Sequence, residues 1–315
     1  MKILKSVQKI PGGLMIVPLL IGVLLNTFVP VFFTHFDGTF TAALWKTGAN
    51  TLLAAFFFCN GTTIDMKKAG VPVYKGVVLT AVKVLTGIGC GMLVNVLFGN
   101  EGILGLAPIA IIAALANSNG GIYAALAGEF GDNTDVGAVS ILTINDGPFF
   151  TMVALGAVGY DVPLNSLIGC LIPIVVGCVL GNLDPDIKEF CKPGATMLIP
   201  FFAIPLGAGL TLQSCLAAGL PGILLGVAST LITGLVGYLV YKLLKMDTPA
   251  LGAAIGTTAG NAAATPAAIA AVGIISEEVS NIATAQISAA IIVTAILCPI
   301  LVSWLNKVEK SKAAK

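Results

Sequence analysis

The sequence predicts an all-α membrane protein with ten transmembrane helices arranged as two halves of five. The first observation is composition: of 315 residues, 57% are hydrophobic and 10% are charged, and the mean hydropathy is +1.00. A water-soluble domain needs roughly a quarter of its residues charged. The second observation is a regular series of long apolar segments, and the third is a set of motifs repeated in the same order. The solvent of this chain is therefore a bilayer, in which about 20 apolar residues form one helical span.

Ten apolar segments follow one another along the chain, separated by short connections rich in Gly, Pro, Asp and Asn. Such connections are typical of turns between helices. The predicted spans cover residues 14–34, 43–64, 73–98, 103–128, 136–159, 164–183, 195–214, 217–244, 249–273 and 279–305.

Lysines give the predicted orientation, because the sequence contains no arginine and its 16 lysines fall mostly at alternate ends of the spans. The positive-inside rule then places both termini in the cytoplasm. The lysine-rich side holds Lys2, Lys5, Lys9, Lys67, Lys68, Lys75, Lys188, Lys192, Lys242, Lys245 and the lysines from Lys307 to Lys315. The opposite side has Lys46. A net charge of +1 gives no indication of a nucleic-acid partner.

Three motif pairs indicate an internal repeat, with one half at residues 11–160 and the other at 164–305. In the first pair, VPLLIGVLLN resembles IPIVVGCVLGN, so that Pro18 matches Pro173 and Gly22 matches Gly177. CNGTTID also resembles GAGLTLQ, and ANSNGGIYAA resembles GNAAATPAAI. Five spans per half is an odd number, so the two copies would have opposite orientations in the membrane, as in many secondary transporters.

The fourth and ninth predicted spans are both interrupted by residues that disfavour a helix. The fourth contains Asn117, Ser118, Asn119, Gly120 and Gly121, of which Gly is a poor helix former and Ser and Asn compete for backbone hydrogen bonds. Unwound backbone at membrane depth survives only inside protein or beside a water-filled cavity. The ninth contains Thr257, Thr258, Gly260, Asn261 and Thr265, followed by Pro266.

Interrupted segments at matching positions of two repeats indicate a transport site. We therefore expect the chain to unwind near residues 117–121 and 260–265, with the two segments crossing near the middle of the membrane. The asparagines are then solute ligands. The alternative is that the small residues only allow close helix packing.

Two charges, Lys83 and Asp146, lie deep inside predicted spans, where a charge costs at least about 2.5 kcal/mol and usually faces a partner or a cavity. Thr143 shares a helix face with Asp146. Either Lys83 pairs with Asp146, or Lys83 attracts an anionic solute while Asp146 takes up a proton. Asn60 and Thr62 are weaker candidates for solute binding, because such residues at a helix end are more often caps.

The sequence argues against an enzyme, since it lacks the parts of an intramembrane active site. The only histidine is His35, and the seven cysteines are scattered without a pattern that binds metal. We expect no cofactor and no metal site. Lipid and a small-molecule solute are the expected partners, and the sequence leaves formation of a homodimer open.

Five blocks carry a resemblance to a known family: IPGGLMIVPL, FFFCNGTTI, NSNGGIYAAL, NDGPFFTM and the stretch from GNLDPDIKEF to LIPFFAIPLG. In this order they resemble the 2-keto-3-deoxygluconate permease family over almost the whole chain. The resemblance implies a proton-driven importer of a sugar acid in the bacterial inner membrane. It also implies a fold similar to the bile acid:sodium symporters, with elevator-like access, a core domain (spans 3–5 and 8–10) and a panel domain (spans 1, 2, 6 and 7).

The resemblance also bears on the coupling ion. A Glu can stand in the family where this chain has Asp146, which indicates that an acid is needed there. The second interrupted segment has no carboxylate, unlike that of the sodium-coupled relatives, and this favours H⁺ over Na⁺. A sodium-coupled organic-anion symporter, an exporter and a channel for small organic anions remain the alternatives.

Overall fold

The computed structural model describes residues 2–9, 13–64, 70–99, 102–142, 145, 148–157 and 159–313. Within these ranges the chain is helical and forms no strand, which confirms the predicted all-α class. One isolated antiparallel bridge joins Ile103 to Leu106 in a turn.

The described residues of the first half form eleven α-helices of very different lengths. They are α1 (Ile3–Gln8), α2 (Gly13–Phe28), α3 (Val31–His35), α4 (Phe40–Trp45), α5 (Ala49–Thr63), α6 (Val71–Phe98), α7 (Pro108–Ala116), α8 (Gly120–Phe130), α9 (Asn133–Gly137), α10 (Val139–Leu142) and α11 (Phe149–Ala157).

The second half contains longer helices and two 3-10 segments. Its α-helices are α12 (Leu164–Leu183), α13 (Pro185–Cys191), α14 (Gly194–Met197), α15 (Ile199–Ala208), α16 (Leu212–Leu243), α17 (Thr265–Ala270) and α18 (Glu277–Ala313). The 3-10 segments, Pro249–Ile255 and Gly260–Ala264, lie between α16 and α17.

Six helical stretches of the described chain are long and apolar enough to cross a membrane, counting α7 with α8 and α13 with α14 and α15. They correspond to the third, fourth, sixth, seventh, eighth and tenth predicted spans. The first predicted span was too long, because α2 ends at Phe28 and a separate short helix follows. The second and ninth predicted spans also fold as shorter pieces, and the fifth is described only in part, so the number ten stays a prediction.

Glycines bring two helix pairs into close contact. At Gly22 of α2 a Cβ atom would collide with the carbonyl oxygen of Ile204 on α15. At Gly177 of α12 it would collide with the carbonyl oxygen of Phe58 on α5. Small residues allow such backbone contact, which replaces the hydrophobic driving force that is absent in lipid. Helices α2, α5, α12 and α15, which the resemblance assigns to a panel domain, thus pack against one another in pairs.

The interior is formed around α7, a helix whose nine residues are all buried. Its sequence, PIAIIAALA, is apolar on every side, as expected for a helix surrounded by protein. Helices α6, α11, α16 and α18 pack against it. The end of α7 is therefore held in the protein interior, where the chain then becomes irregular.

Candidate functional site

The first interruption separates α7 from α8. Residues 117–119 are not helical, and Asn117 and Asn119 have extended backbone conformations. The side chain of Asn119 accepts a hydrogen bond of 3.0 Å from the Ile122 N–H and so caps α8. The interruption is shorter than predicted, because Gly120 and Gly121 already begin α8.

The second interruption lies at residues 256–259, between the two 3-10 segments. The predicted position, 260–265, was several residues too late: Gly260 and Asn261 lie in a 3-10 segment and Thr265 begins α17. Pro266 is at the start of α17, where a proline is tolerated because its missing N–H would have no helical partner. It therefore starts a helix instead of breaking one.

Direct hydrogen bonds join the two interruptions. The Asn119 N–H donates to the Thr257 hydroxyl over 2.9 Å, and the Thr258 hydroxyl donates to the Ala114 carbonyl over 3.2 Å. The Thr258 N–H in turn donates to the Thr294 hydroxyl of α18 over 3.0 Å. Backbone groups released by the unwinding are thus satisfied by the other segment or by α18, as membrane depth requires.

A cavity of about 600 Å³ lies beside the two interruptions. From the predicted site it is lined by Asn60, Ser118, Asn119, Gly120, Gly121 and Asn261, and Ala259 and Gly260 at the end of the second interruption line it too. Two further polar residues, Gln8 and Thr196, also line the cavity. The rest of its wall is apolar and is formed by Gly13, Leu14, Phe56, Ala124, Val139, Ala195 and Ile199. The fold therefore brings together residues from both interruptions and from α5.

Polar atoms without a hydrogen-bond partner among the described residues belong to three of these lining residues: the Ser118 hydroxyl, the Asn261 Nδ2 and the Asn60 Nδ2. Ser118 is 2% exposed and Asn261 is 8% exposed. A buried polar atom left without a partner costs free energy. A polar solute in the cavity can supply the missing partners.

The amino-terminal end of α8 adds backbone donors to the cavity. The Ile122 and Tyr123 N–H groups bond to the Asn119 side chain and carbonyl, respectively. No hydrogen bond from the N–H groups of Gly120 or Gly121 is found in the described part of the chain. The first N–H groups of a helix and its dipole attract anions. This end of the cavity can therefore accept a carboxylate.

Lys83 is completely buried in α6 and does not line the cavity. Its ammonium donates to the Thr257 carbonyl over 2.8 Å and to the Thr233 hydroxyl over 3.1 Å. Lys83 therefore contacts the backbone of the second interruption from behind the cavity wall. Asp146 and Thr143, which the sequence predicts to take part in proton coupling, lie outside the described residues.

Five further predicted ligands are not in the wall of the cavity, and one of them, Thr257, forms the hydrogen bonds to Asn119 and Lys83 described above. Asn117 is buried and donates to the Ala113 carbonyl of its own helix over 2.9 Å. Thr62 donates to the Cys59 carbonyl over 2.7 Å and lies against Gly181 of α12. Thr258 is used in the bonds described above, and Thr265 is buried at the start of α17.

Sequence reasoning missed Gln8, Phe56 and Thr196 in the cavity wall. Gln8 precedes Lys9 and Thr196 follows Lys192 by four residues, so both look like ordinary connecting residues, and Phe56 is one of three consecutive phenylalanines. Their position depends on how α1, α5 and α14 pack, so no local pattern could have identified them.

A buried ion pair lies at the lysine-rich end of α6. Lys75 is 2% exposed and Asp135 is 0% exposed, and their charged groups are 2.7 Å apart. Asp135 also accepts from the Thr248 hydroxyl over 3.1 Å, at the start of the second interrupted segment. Nearby Asp132 is partly exposed, and the hydrogen bond from the Thr134 hydroxyl lowers its pKa to about 2. The pair thus joins α6 to the connections that follow α8 and α16.

Comparison with known proteins identifies the family. Residues 4–311 match the family model described as 2-keto-3-deoxygluconate permease. A 2-keto-3-deoxygluconate permease 1 of Salmonella typhimurium is 49% identical over 315 residues, covering 100% of this chain and 98% of the relative.

More distant relatives carry the same description. A 2-keto-3-deoxygluconate permease of Escherichia coli is 37% identical over 321 residues, covering 100% of this chain and 98% of the relative. One of Bacillus subtilis is 36% identical over 318 residues, covering 99% of this chain and 96% of the relative. With its apolar helices and its match along nearly the whole length, the chain is an integral membrane protein that belongs to the 2-keto-3-deoxygluconate permease family.

Proposed function

We propose that this protein imports 2-keto-3-deoxygluconate across the bacterial inner membrane by proton symport. The observation that carries the proposal is the cavity of about 600 Å³ that both interrupted segments line with polar groups lacking partners. Its volume lies within the roughly 300–1,000 Å³ typical of small-molecule sites. The names of the full-length relatives supply the identity of the solute.

The carboxylate of the sugar acid binds in this proposal at the amino-terminal end of α8. The described lining residues include no lysine or histidine, so the anion meets the N–H groups of Gly120 and Gly121 and the helix dipole. The hydroxyl groups of the solute pair with Ser118, Asn261 and Asn60. Neutral donors suit a carrier, because a fixed charge at membrane depth would be costly once the solute leaves.

The cavity faces the cytoplasm in this proposal. Gln8 lies between Lys5 and Lys9, and Thr196 follows Lys192 by four residues. Both line the cavity, so it reaches the lysine-rich side, which the positive-inside rule assigns to the cytoplasm together with both termini. The conformation is then the one from which an imported solute leaves.

For the movement we propose elevator-like access with ten spans, in which the two interrupted segments cross and move with the core domain against the panel. The hydrogen bonds between Asn119 and Thr257 and between Thr258 and Ala114 support a common movement of both segments. The glycine contacts between α2 and α15 and between α5 and α12 support a separate panel. The coupling proton is proposed to bind Asp146, with Thr143 beside it.

The test is uptake of labelled 2-keto-3-deoxygluconate by purified protein in proteoliposomes. An imposed pH gradient should drive accumulation above the external concentration, whereas an equal sodium gradient should not. Accumulation with sodium alone would support the sodium-coupled alternative. Equilibration without accumulation under either gradient would indicate a channel, and absence of any uptake would reject the proposed solute.

A further inference from the structure

Lys83 is one of two buried lysines among the described residues, yet it does not line the cavity. Its side chain is 0% exposed and lies behind the backbone of the second interruption. A buried lysine at membrane depth needs partners, and two of its partners are the Thr257 carbonyl and the Thr233 hydroxyl. Any effect of Lys83 on solute binding must therefore be transmitted by one of these groups.

A chain of three hydrogen bonds connects this ammonium to the cavity. Lys83 donates to the Thr257 carbonyl over 2.8 Å, and the Thr257 hydroxyl accepts from the Asn119 N–H over 2.9 Å. The Asn119 side chain accepts from the Ile122 N–H over 3.0 Å and fixes the first turn of α8. Gly120 and Gly121, whose N–H groups have no hydrogen bond among the described residues, lie between the last two links and line the cavity.

We infer that Lys83 is a positioning residue that holds the amino-terminal end of α8 in place through Thr257. The carbonyl of Thr257 is unwound backbone, which needs a donor inside the membrane. A charged donor binds it more strongly than a neutral one. With that carbonyl fixed, the Thr257 hydroxyl stays in place to accept from Asn119, and the first turn of α8 keeps Gly120 and Gly121 in the cavity wall.

The consequence for the solute rests on the proposed function. If Lys83 contacted the carboxylate, its loss would weaken binding of the acid alone. A positioning role predicts instead that the acid and an analogue with an uncharged carboxamide lose affinity by similar factors, since both depend on the same cavity wall.

The experiment uses the full-length protein in nanodiscs and compares Lys83→Met, Thr257→Val, the double variant and Thr233→Val. Lys83→Met and Thr257→Val should each weaken binding of the acid and of its carboxamide about tenfold, in the range expected for the loss of one hydrogen bond. The double variant should lose little more than either single variant. Thr233→Val is the matched control, because it removes a partner of Lys83 outside the chain of bonds, and it should bind like the parent.

Hydrogen exchange of residues 117–124 gives a readout that needs no solute. It should become faster in Lys83→Met and Thr257→Val and stay unchanged in Thr233→Val. If Lys83→Met does not fold, Thr257→Val still tests the middle link of the chain. Failure of the parent to bind 2-keto-3-deoxygluconate would reject the proposed solute, while the exchange comparison would still decide the role of Lys83.

Three outcomes would overturn the inference. Loss of affinity for the acid alone in Lys83→Met would show direct binding. Unchanged exchange at residues 117–124 in both chain variants would show that α8 does not depend on these bonds. A lower melting temperature with parent affinity in the remaining folded protein would show a purely structural lysine.

Discussion

The backbone N–H of Asn119 donates a hydrogen bond of 2.9 Å to the hydroxyl of Thr257, a residue 138 positions away in the chain. Each residue belongs to one of the two interrupted segments. Both halves of the protein therefore determine the shape of the cavity wall. A change in either segment should alter the position of the other.

Replacement of Asn119 by Asp should separate folding from binding. The new carboxylate can still cap α8, where a negative charge is favoured by the helix dipole. It would also repel an anionic solute bound at the same helix end. We expect Asn119→Asp to insert normally and to lose at least tenfold in affinity for 2-keto-3-deoxygluconate, measured by binding in nanodiscs.

The matched variant for this experiment is Asn119→Ala, which removes the cap and should cost about 1 kcal/mol of stability. It adds no charge, so it should weaken the acid and its carboxamide to the same extent. Parent affinity for the acid in Asn119→Asp would place the carboxylate elsewhere in the cavity.

Asn261→Leu should reduce uptake about tenfold while leaving the protein in the membrane, because it removes a buried donor offered to the solute. The control is Gln286→Leu. Gln286 donates to the Gly105 carbonyl over 2.7 Å and is absent from the cavity wall, so its loss should lower the melting temperature without changing affinity. If both variants behave alike in transport assays, Asn261 is a packing residue.

Substitution of Gly260 should affect transport, whereas substitution of Gly22 should affect stability. A Cβ atom at Gly260 meets no atom within 4 Å, since this glycine faces the cavity. We expect Gly260→Leu to keep its melting temperature and to raise the KM for transport by filling the cavity. At Gly22 even Ala would collide with the Ile204 carbonyl, so Gly22→Ala should lower the melting temperature. A stable Gly22→Ala protein would refute the tight contact of α2 with α15.

The Lys75–Asp135 pair should show strong coupling in stability. Lys75→Met leaves the buried Asp135 carboxylate without its cation, and loss of one partner of a buried pair typically costs about 3–5 kcal/mol. Replacing both residues, as Lys75→Met with Asp135→Leu, should recover much of this loss. Thermal unfolding of the purified variants measures the effect, and additive losses in the double variant would argue against a direct pair.

Asp146→Asn tests the coupling residue proposed from the sequence. The amide resembles the protonated acid and cannot release a proton, so exchange of solute across the membrane should continue without a gradient. Accumulation driven by a pH gradient should be lost. If Asp146→Asn still concentrates 2-keto-3-deoxygluconate like the parent in proteoliposomes, the coupling proton binds elsewhere.

The sequence by itself determined the helical class, the membrane setting and the two interrupted segments. Composition decides the solvent, and Asn117 to Asn119 cannot continue a helix comfortably, so these features follow from local properties. The family followed from motifs that stand in order along the whole chain. Helices that coincide with uninterrupted apolar segments, such as α6 and α12, were also predicted closely.

Only the tertiary structure decided which polar residues face the cavity. Asn117 and Asn119 are two residues apart in one motif, yet one bonds to its own helix and the other caps the next helix beside the cavity. The proline at position 266 predicted a break in the helix, but Pro266 lies at the start of α17. Lys83 contacts the backbone of Thr257, behind the cavity. The physical reason is that burial, hydrogen-bond partners and distance to Thr257 depend on contacts between residues far apart in sequence, which residue type and spacing do not specify.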